Sequence, residues 1–165
     1  MKTILNWKKG AFKSACQIYS DENRIIGVLH ENNCSLSAEG ELNGKKYLFK
    51  SKGFFNPVTQ IIDVANNVVI GKITYNSWMT KARIEYDDSI LNWRYDSCWA
   101  SKWSIFGTTD ILLHGRSSFC KGNIEFNRQN DLFVLTGLFI SRYYFQMTWM
   151  IILIAMIPIW TITFH

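Results

Sequence analysis

The side chains in this chain that could bind a metal or act as nucleophiles are few and scattered. Four cysteines stand at positions 16, 34, 98 and 120, and three histidines stand at 30, 114 and 165. No C-x-x-C pair occurs, and the histidines do not cluster with the cysteines in the spacing of a zinc or redox site. We therefore expect no metal and no cofactor, and we expect reduced cysteines within the core.

Carboxylates and histidines in general acid or base roles are equally poorly supported. Asp87 and Asp88 are adjacent in a predicted turn, where paired acidic residues usually form the turn itself. His30 and His114 have no partner that the sequence identifies, and no phosphate-binding glycine loop, H-E-x-x-H or G-x-S-x-G motif occurs. The sequence therefore predicts a protein that is not an enzyme.

A lysine-rich segment is the most suggestive polar feature. It follows the dipeptide Asn43-Gly44, which is typical of a type I′ turn, and its lysines could bind an anionic lipid head group. The alternative is a solvated strand edge, where lysine prevents aggregation. On charge alone, the candidate head-group ligands are Lys45, Lys46, Lys50 and Lys52.

The charged residues are unevenly distributed along the chain. The sequence has 165 residues, a net charge of +5 and a pI near 9.0, which favours anionic partners. Of the 18 basic residues, 17 precede position 129, and only Asp131 and Arg142 are charged after it. The first residues are basic but lack the apolar run of a secretory signal, so we expect an N-terminus that is not exported.

Alternation with a period of two predicts short strands through most of the chain. In 81–86, Ala82 and Ile84 share one face; after the turn at 87–89, Leu91 and Trp93 continue the pattern, which indicates a hairpin. Counting such segments predicts roughly ten to twelve strands, as in a β-barrel or sandwich.

A weak internal repeat relates residues 17–29 to residues 60–73. Each copy is predicted to be a strand, a polar turn and a second strand, with Gly27 and Gly71 inside the second strand. Because glycine weakens a strand, we expect another backbone or packed element to approach each glycine closely.

The last part of the chain is almost entirely apolar. Residues 132–140 are apolar on every side, which predicts a buried helix over 131–145, with a buried strand as the alternative for 132–140. A second helix is predicted over 146–164, where about 19 uncharged residues at a rise of about 1.5 Å approach the thickness of a bilayer core. Tyr143 and Tyr144 at one end and Trp160 at the other are predicted interfacial residues.

The 146–164 helix is predicted to be a membrane anchor, with a helix buried in protein as the alternative. Basic residues upstream would place the rest of the chain on the cytoplasmic side, with a single C-terminal span. A wholly cytoplasmic protein remains the alternative. The predicted anchor residues are Trp149, Ile151, Ile152, Leu153, Ile154, Ile157 and Trp160.

These features resemble the superfamily of tubby carboxy-terminal domains, plant LURP-one-related proteins and phospholipid scramblases. The resemblance rests on the predicted hairpins at 21–29 and 63–73 and on the segment 131–145, which is similar to the central helix of scramblase-like members. It implies a mainly β fold, a closed antiparallel barrel of about twelve short strands around a central helix (131–145). The chain departs from the family in the further apolar segment that follows, the predicted second helix (146–164). The corresponding division is a barrel over 1–145 and an anchor over 146–165.

The expected function is a non-enzymatic, membrane-tethered barrel that binds or scaffolds. Its expected partners are the membrane, anionic phospholipid as the resemblance implies, and an unidentified protein. The alternatives are scramblase-like lipid redistribution, suggested by the resemblance alone, and a soluble barrel whose C-terminal helix is buried in protein. We do not expect nucleic-acid binding, since the net charge is modest and no recognition motif occurs.

Overall fold

The structure contains twelve strands followed by one long helix. The computed structural model describes residues 2–10, 13–32, 35–53, 56–108, 110–128 and 130–163, with side chains of the helix described as far as Pro158. The elements are β1 (Thr3–Lys9), β2 (Ala15–Tyr19), β3 (Ile25–Asn32), β4 (Ser37–Leu42), β5 (Lys45–Lys52), β6 (Val58–Asp63), β7 (Val68–Tyr75), β8 (Lys81–Tyr86), β9 (Ser89–Tyr95), β10 (Lys102–Phe106), β11 (Ile111–Ser117), β12 (Lys121–Phe126) and α1 (Asp131–Thr163).

The strands form a closed antiparallel barrel, as predicted. Each strand pairs with its neighbours along the chain, and β1 pairs with β12 to close the sheet, so that Leu5 lies opposite Ile124 and Lys8 opposite Lys121. Closure removes the sheet edges that would otherwise invite pairing with other chains. Side chains that alternate inward along the strands make up the core around α1.

The predicted hairpins are confirmed, with the turn chemistry that the sequence indicated. β8 and β9 pair from Lys81 opposite Arg94 to Tyr86 opposite Ser89. Asn43 and Gly44 both have positive φ, 51° and 79°, as a type I′ turn requires.

The internal repeat is confirmed as two strand-turn-strand units, each with a β-bulge at the equivalent position. Ile18 lies opposite Gly27 and Ile61 lies opposite Gly71, and in each pair of strands the register shifts by one residue immediately afterwards. A third shift occurs in the β10–β11 pair, next to Ile105. The three bulged pairs are thus four strands apart around the barrel, where bulges increase local twist.

The close approach predicted at the two repeat glycines is also present. A Cβ at Gly27 would lie 2.5 Å from the carbonyl oxygen of Glu41, and one at Gly71 would lie 2.6 Å from that of Glu85. The approaching group is therefore the backbone of the neighbouring strand.

The apolar C-terminal region is one continuous helix, not two. No break separates 131–145 from 146–164, because no glycine or proline between Gly137 and Pro158 interrupts the hydrogen-bonding ladder of α1. The buried-strand alternative for 132–140 is wrong. The environment changes along α1, which is largely buried from Asp131 to Tyr144 and then becomes exposed.

The buried half of α1 fills the barrel through close aromatic packing. Phe139 stacks on Phe49 of β5 with ring centroids 4.6 Å apart, and Tyr143 stacks on Tyr75 of β7 at 4.3 Å. A barrel of twelve strands is too wide for its own side chains to fill, so the helix supplies the missing core.

The two ends of the barrel differ in what they contact. At the entry end, where α1 begins, Asn43 Nδ2 donates a hydrogen bond of 2.8 Å to Oδ1 of Asp131 in the first helical turn. The negative charge of the Asp131 carboxylate also interacts favourably with the positive N-terminal end of the helix dipole. At the exit end, α1 leaves the barrel past Arg142, on the side where β1, β3, β5, β7, β9 and β11 end.

Candidate functional site

A buried network of charges holds α1 at the exit end. Nε of Arg142 donates to Oε1 of Glu31 in β3 at 2.7 Å, and Lys9 of β1 forms a second ion pair with the same carboxylate. Gln146 Nε2 also donates to Glu31 at 3.0 Å, while the guanidinium of Arg142 donates to the carbonyl of Phe119 at 3.2 Å. One carboxylate therefore connects two strands to the helix.

The electrostatics of this network favour a structural role. Burial acts to raise the pKa of Glu31, but Arg142 and Lys9 outweigh it and hold that pKa below its usual value. Burial, followed by the charge of Glu31, raises the pKa of the neighbouring Cys16 thiol to about 12. Because only the thiolate is nucleophilic, Cys16 is chemically inert in the folded protein.

Beyond the network, α1 extends away from the barrel as an exposed apolar rod. By length and hydropathy the described helix Asp131–Pro158 is long and apolar enough to cross a membrane, but its first half occupies the barrel. The helical backbone from 145 to Thr163 covers about 28 Å at about 1.5 Å per residue. Six of the predicted anchor residues are 43–63% exposed, namely Trp149, Ile151, Ile152, Leu153, Ile154 and Ile157.

The prediction that Tyr143 and Tyr144 lie at a membrane interface is wrong. Tyr143 and Tyr144 are only 3% and 2% exposed, because they lie inside the barrel against Tyr75. Trp149 is the first exposed aromatic residue of α1 beyond the exit end among the described side chains, and the side chain of Trp160 lies outside the described part of the structure.

The lysines predicted as head-group ligands do not converge on one point. Lys46, Lys50 and Lys52 face outward along β5, and the first and last of them are about 20 Å apart at about 3.3 Å per residue. At one end, Lys45 lies 3.4 Å from Asp131 and Lys46 lies 3.4 Å from Glu41, so both already have carboxylate partners. Their proposed role in lipid binding stays a prediction.

A second group of basic residues does converge, on the outer wall near the exit end. Lys8 of β1 lies directly opposite Lys121 of β12, and Lys102 of β10 lies directly opposite Arg116 of β11. These four exposed residues line a groove of about 660 Å³ whose other described lining residues are uncharged, including Asn6 and several serines. We refer to this surface as the basic groove.

The basic groove carries a net positive charge. Among the described residues no ion pair to a carboxylate involves Lys8, Lys102, Arg116 or Lys121, although Arg116, after Lys2, helps to lower the pKa of Glu125. Like charges directly opposite one another across two strands destabilise a sheet. An anion bound in the groove would relieve that repulsion.

The basic groove could not be found from spacing along the chain. Lys8 and Lys121 belong to the first and last strands, and only closure of the barrel makes them neighbours. Lys102 and Lys121 lie near the start of predicted strands, but no strand was predicted around Lys8 or Arg116, and spacing gives no register that would pair them.

The other residues whose side chains could take part in catalysis or bind a metal do not lie together. Asp87 and Asp88 form the β8–β9 turn with φ of 46° and 59°, as the turn interpretation predicts. His114 lies 3.9 Å from Asp96 on the outer wall, whereas Cys98 and Cys120 are free thiols. Among the described residues no group of three metal-binding side chains occurs, and Cys34 and His165 lie outside them.

Comparison with known proteins leaves the chain without a family assignment. No family model matches it, and no curated protein matches its sequence.

Proposed function

We propose that this protein is a non-enzymatic β-barrel that the exposed part of α1 tethers to a membrane, and that its basic groove binds anionic phospholipid head groups. The observation that carries the proposal is the change along one helix from a largely buried segment in the barrel to an exposed, uncharged apolar surface. Such a surface is costly in water and stable in a bilayer.

The energetics support insertion of the exposed part of α1. No charged residue follows Arg142, and aliphatic residues each contribute roughly −0.3 to −0.6 kcal/mol on the insertion scale. Pro158 lies near the far end of the helix, where a membrane helix tolerates it. The rigid connection through Arg142 and Glu31 would hold the barrel directly against the bilayer surface.

The position of the basic groove supports recognition of anionic lipid. Lys8, Lys102 and Lys121 lie in the terminal third of their strands at the exit end, the end that faces the bilayer in this arrangement. Basic residues near an anionic membrane surface contribute about 1 kcal/mol each. The excess of basic residues before α1 supports a cytoplasmic barrel.

Flotation of the full chain with liposomes tests the anchor. We expect the protein to float and to resist carbonate extraction, and the double variant I151K/I154K to be extracted, because each central lysine costs about 3 kcal/mol. The control I25K/I111K adds the same charge at exposed barrel positions and should remain anchored. Extraction of the unmodified protein would contradict the anchor.

The basic groove requires a second experiment. Transfer of the full chain from detergent into vesicles should favour phosphatidylserine over phosphatidylcholine vesicles, and the variant K8Q/K121Q should lose that preference. The matched control K50Q/K52Q removes the same charge from β5. If K50Q/K52Q loses more of the preference for phosphatidylserine than K8Q/K121Q, the β5 lysines and not the basic groove bind the head groups.

Lipid redistribution of the scramblase type stays a prediction that rests on the resemblance alone. Exchange of labelled lipid between the leaflets of reconstituted vesicles would be needed to support it.

A further inference from the structure

The exposed aromatic side chains are confined to one end of the molecule. Among the described residues the exposed aromatics are Trp78, Trp99, Phe119 and Trp149, and all four lie at or beyond the exit end. Trp78 and Trp99 are 85% and 91% exposed, so they bury almost no surface within the fold. The described exposed apolar residues of the strands towards the entry end are aliphatic, for example Ile25, Ile90 and Ile111.

Two exit-end connections present their tryptophans through the same five-residue turn. In the β7–β8 connection, Met79 N–H donates to the carbonyl of Asn76 at 3.1 Å; in the β9–β10 connection, Ala100 N–H donates to that of Ser97 at 3.1 Å. The tryptophan is the third residue of each turn, and the residue after it has positive φ, 54° at Met79 and 53° at Ala100.

The first side chain of each turn closes it in the same way. Asn76 Oδ1 accepts hydrogen bonds from the N–H groups of the fifth and sixth residues, Thr80 and Lys81, both at 2.9 Å. Ser97 Oγ accepts the equivalent bonds from Ser101 and Lys102, both at 3.2 Å.

Holding a non-glycine residue at positive φ costs free energy. The side-chain bonds of Asn76 and Ser97 offset that cost, and the outcome in both turns is an exposed indole in a defined place.

The space between these turns and the helix is apolar and open. A groove of about 720 Å³ lies there, with Trp78, Trp99, Phe145, Trp149 and Ile152 among its lining residues. Phe119 continues the aromatic surface on the other side, with its ring centroid 5.3 Å from that of Phe145. The exit-end aromatics therefore form one surface with the part of α1 that leaves the barrel.

We propose that Trp78, Trp99 and Phe119 are a membrane-interface surface that inserts into the head-group region around α1, so that the exit end of the barrel lies flat on the bilayer. Tryptophan is enriched at that depth because its ring is apolar and its N–H remains hydrogen-bonded to water or head groups. Lipid chains and head groups would fill the groove beside α1. This inference rests on the proposed membrane tether, and a lipid surface is its occupant.

Quenching by brominated lipid in the full, reconstituted chain tests the inference. Tryptophan emission is compared between phosphatidylcholine vesicles and the same vesicles with bromine on the acyl chains near the glycerol. The variant W78F/W99F removes the two reporters and keeps the aromatic surface. The emission that Trp78 and Trp99 contribute, taken as unmodified protein minus variant, should be lost in brominated vesicles.

The control I90W places a tryptophan at an exposed site towards the entry end, and its added emission should be unchanged by bromine. If the protein floats but bromine leaves the Trp78 and Trp99 emission intact, the inference is wrong while the tether stands. If the protein does not float, the tether itself fails. If bromine quenched the added emission of I90W as strongly as that of Trp78 and Trp99, the flat orientation would also be wrong.

Discussion

Arg142 Nε donates a hydrogen bond to Oε1 of Glu31 across 2.7 Å, and both side chains are almost fully buried although 111 positions separate them. This contact joins the helix to the barrel wall at the point where α1 leaves the barrel. Because a buried charge without a partner is costly, any shift of α1 that separates the pair would carry a free-energy penalty.

Removing the carboxylate should destabilise the fold strongly. Glu31→Gln leaves Arg142 and Lys9 near an uncharged group, and we expect a loss of about 3–5 kcal/mol in the free energy of unfolding, measured by urea titration of the detergent-solubilised chain. The triple variant K9M/E31L/R142M removes all three charges of the network and should lose less. A larger loss in the triple variant would show that packing, not charge, dominates the site.

The stability of the protein should fall in acid partly through Glu31. Its pKa is lower in the folded than in the unfolded chain, so as the pH falls the unfolded chain binds the proton first and gains stability relative to the fold. The contribution of Glu31 is therefore present above its unfolded pKa of about 4.3 and is lost as the pH falls through the folded value. Unfolding measured from neutral pH to pH about 3 should show a shallower decline in E31Q than in the unmodified protein; parallel curves would contradict this assignment.

Gly137 should be required for packing inside the barrel. A Cβ there would overlap the indole of Trp103. The same indole also lies directly against Gly115, where a Cβ would overlap it as well. Gly137→Ala gains up to about 1 kcal/mol of helix propensity but overpacks the core, so we expect a net loss of about 1–3 kcal/mol in unfolding titrations.

The matched control for Gly137 is Gly107→Ala, where the nearest atom would be Leu91 Cδ2 at 3.8 Å. That variant should be close to neutral. A stabilised G137A protein would mean that Trp103 can move aside.

Cys16 should be protected from thiol reagents until the barrel opens. It is fully buried and its pKa is raised to about 12, so the number of thiols labelled in the detergent-solubilised native protein should be one lower in C98S than in the unmodified protein, but unchanged in C16S. After unfolding in urea, each variant should show one labelled thiol fewer than the unmodified protein. Native-state labelling of Cys16 would show that the buried network opens readily.

The local elements of this protein follow from its sequence alone. The β8–β9 hairpin could be predicted from alternation at Ala82, Ile84, Leu91 and Trp93, and the β4–β5 turn from Asn43-Gly44, because strand pleating and turn conformation depend on adjacent residues. The burial of the first part of α1 likewise followed from residues 132–140, which are apolar on every side.

Only the tertiary structure decided which distant residues meet. Closure of β1 on β12 places Lys8 beside Lys121, and threading of α1 places Arg142 beside Glu31, because strand register and barrel closure depend on twist and shear summed over all twelve strands. The same long-range geometry buries Tyr143 and Tyr144, which their sequence neighbourhood assigned to a membrane interface, and gathers Trp78 and Trp99 around the emerging helix. The spacing of residues along the chain is enough to predict the strands. Which residues of different strands become neighbours is decided only when the barrel closes.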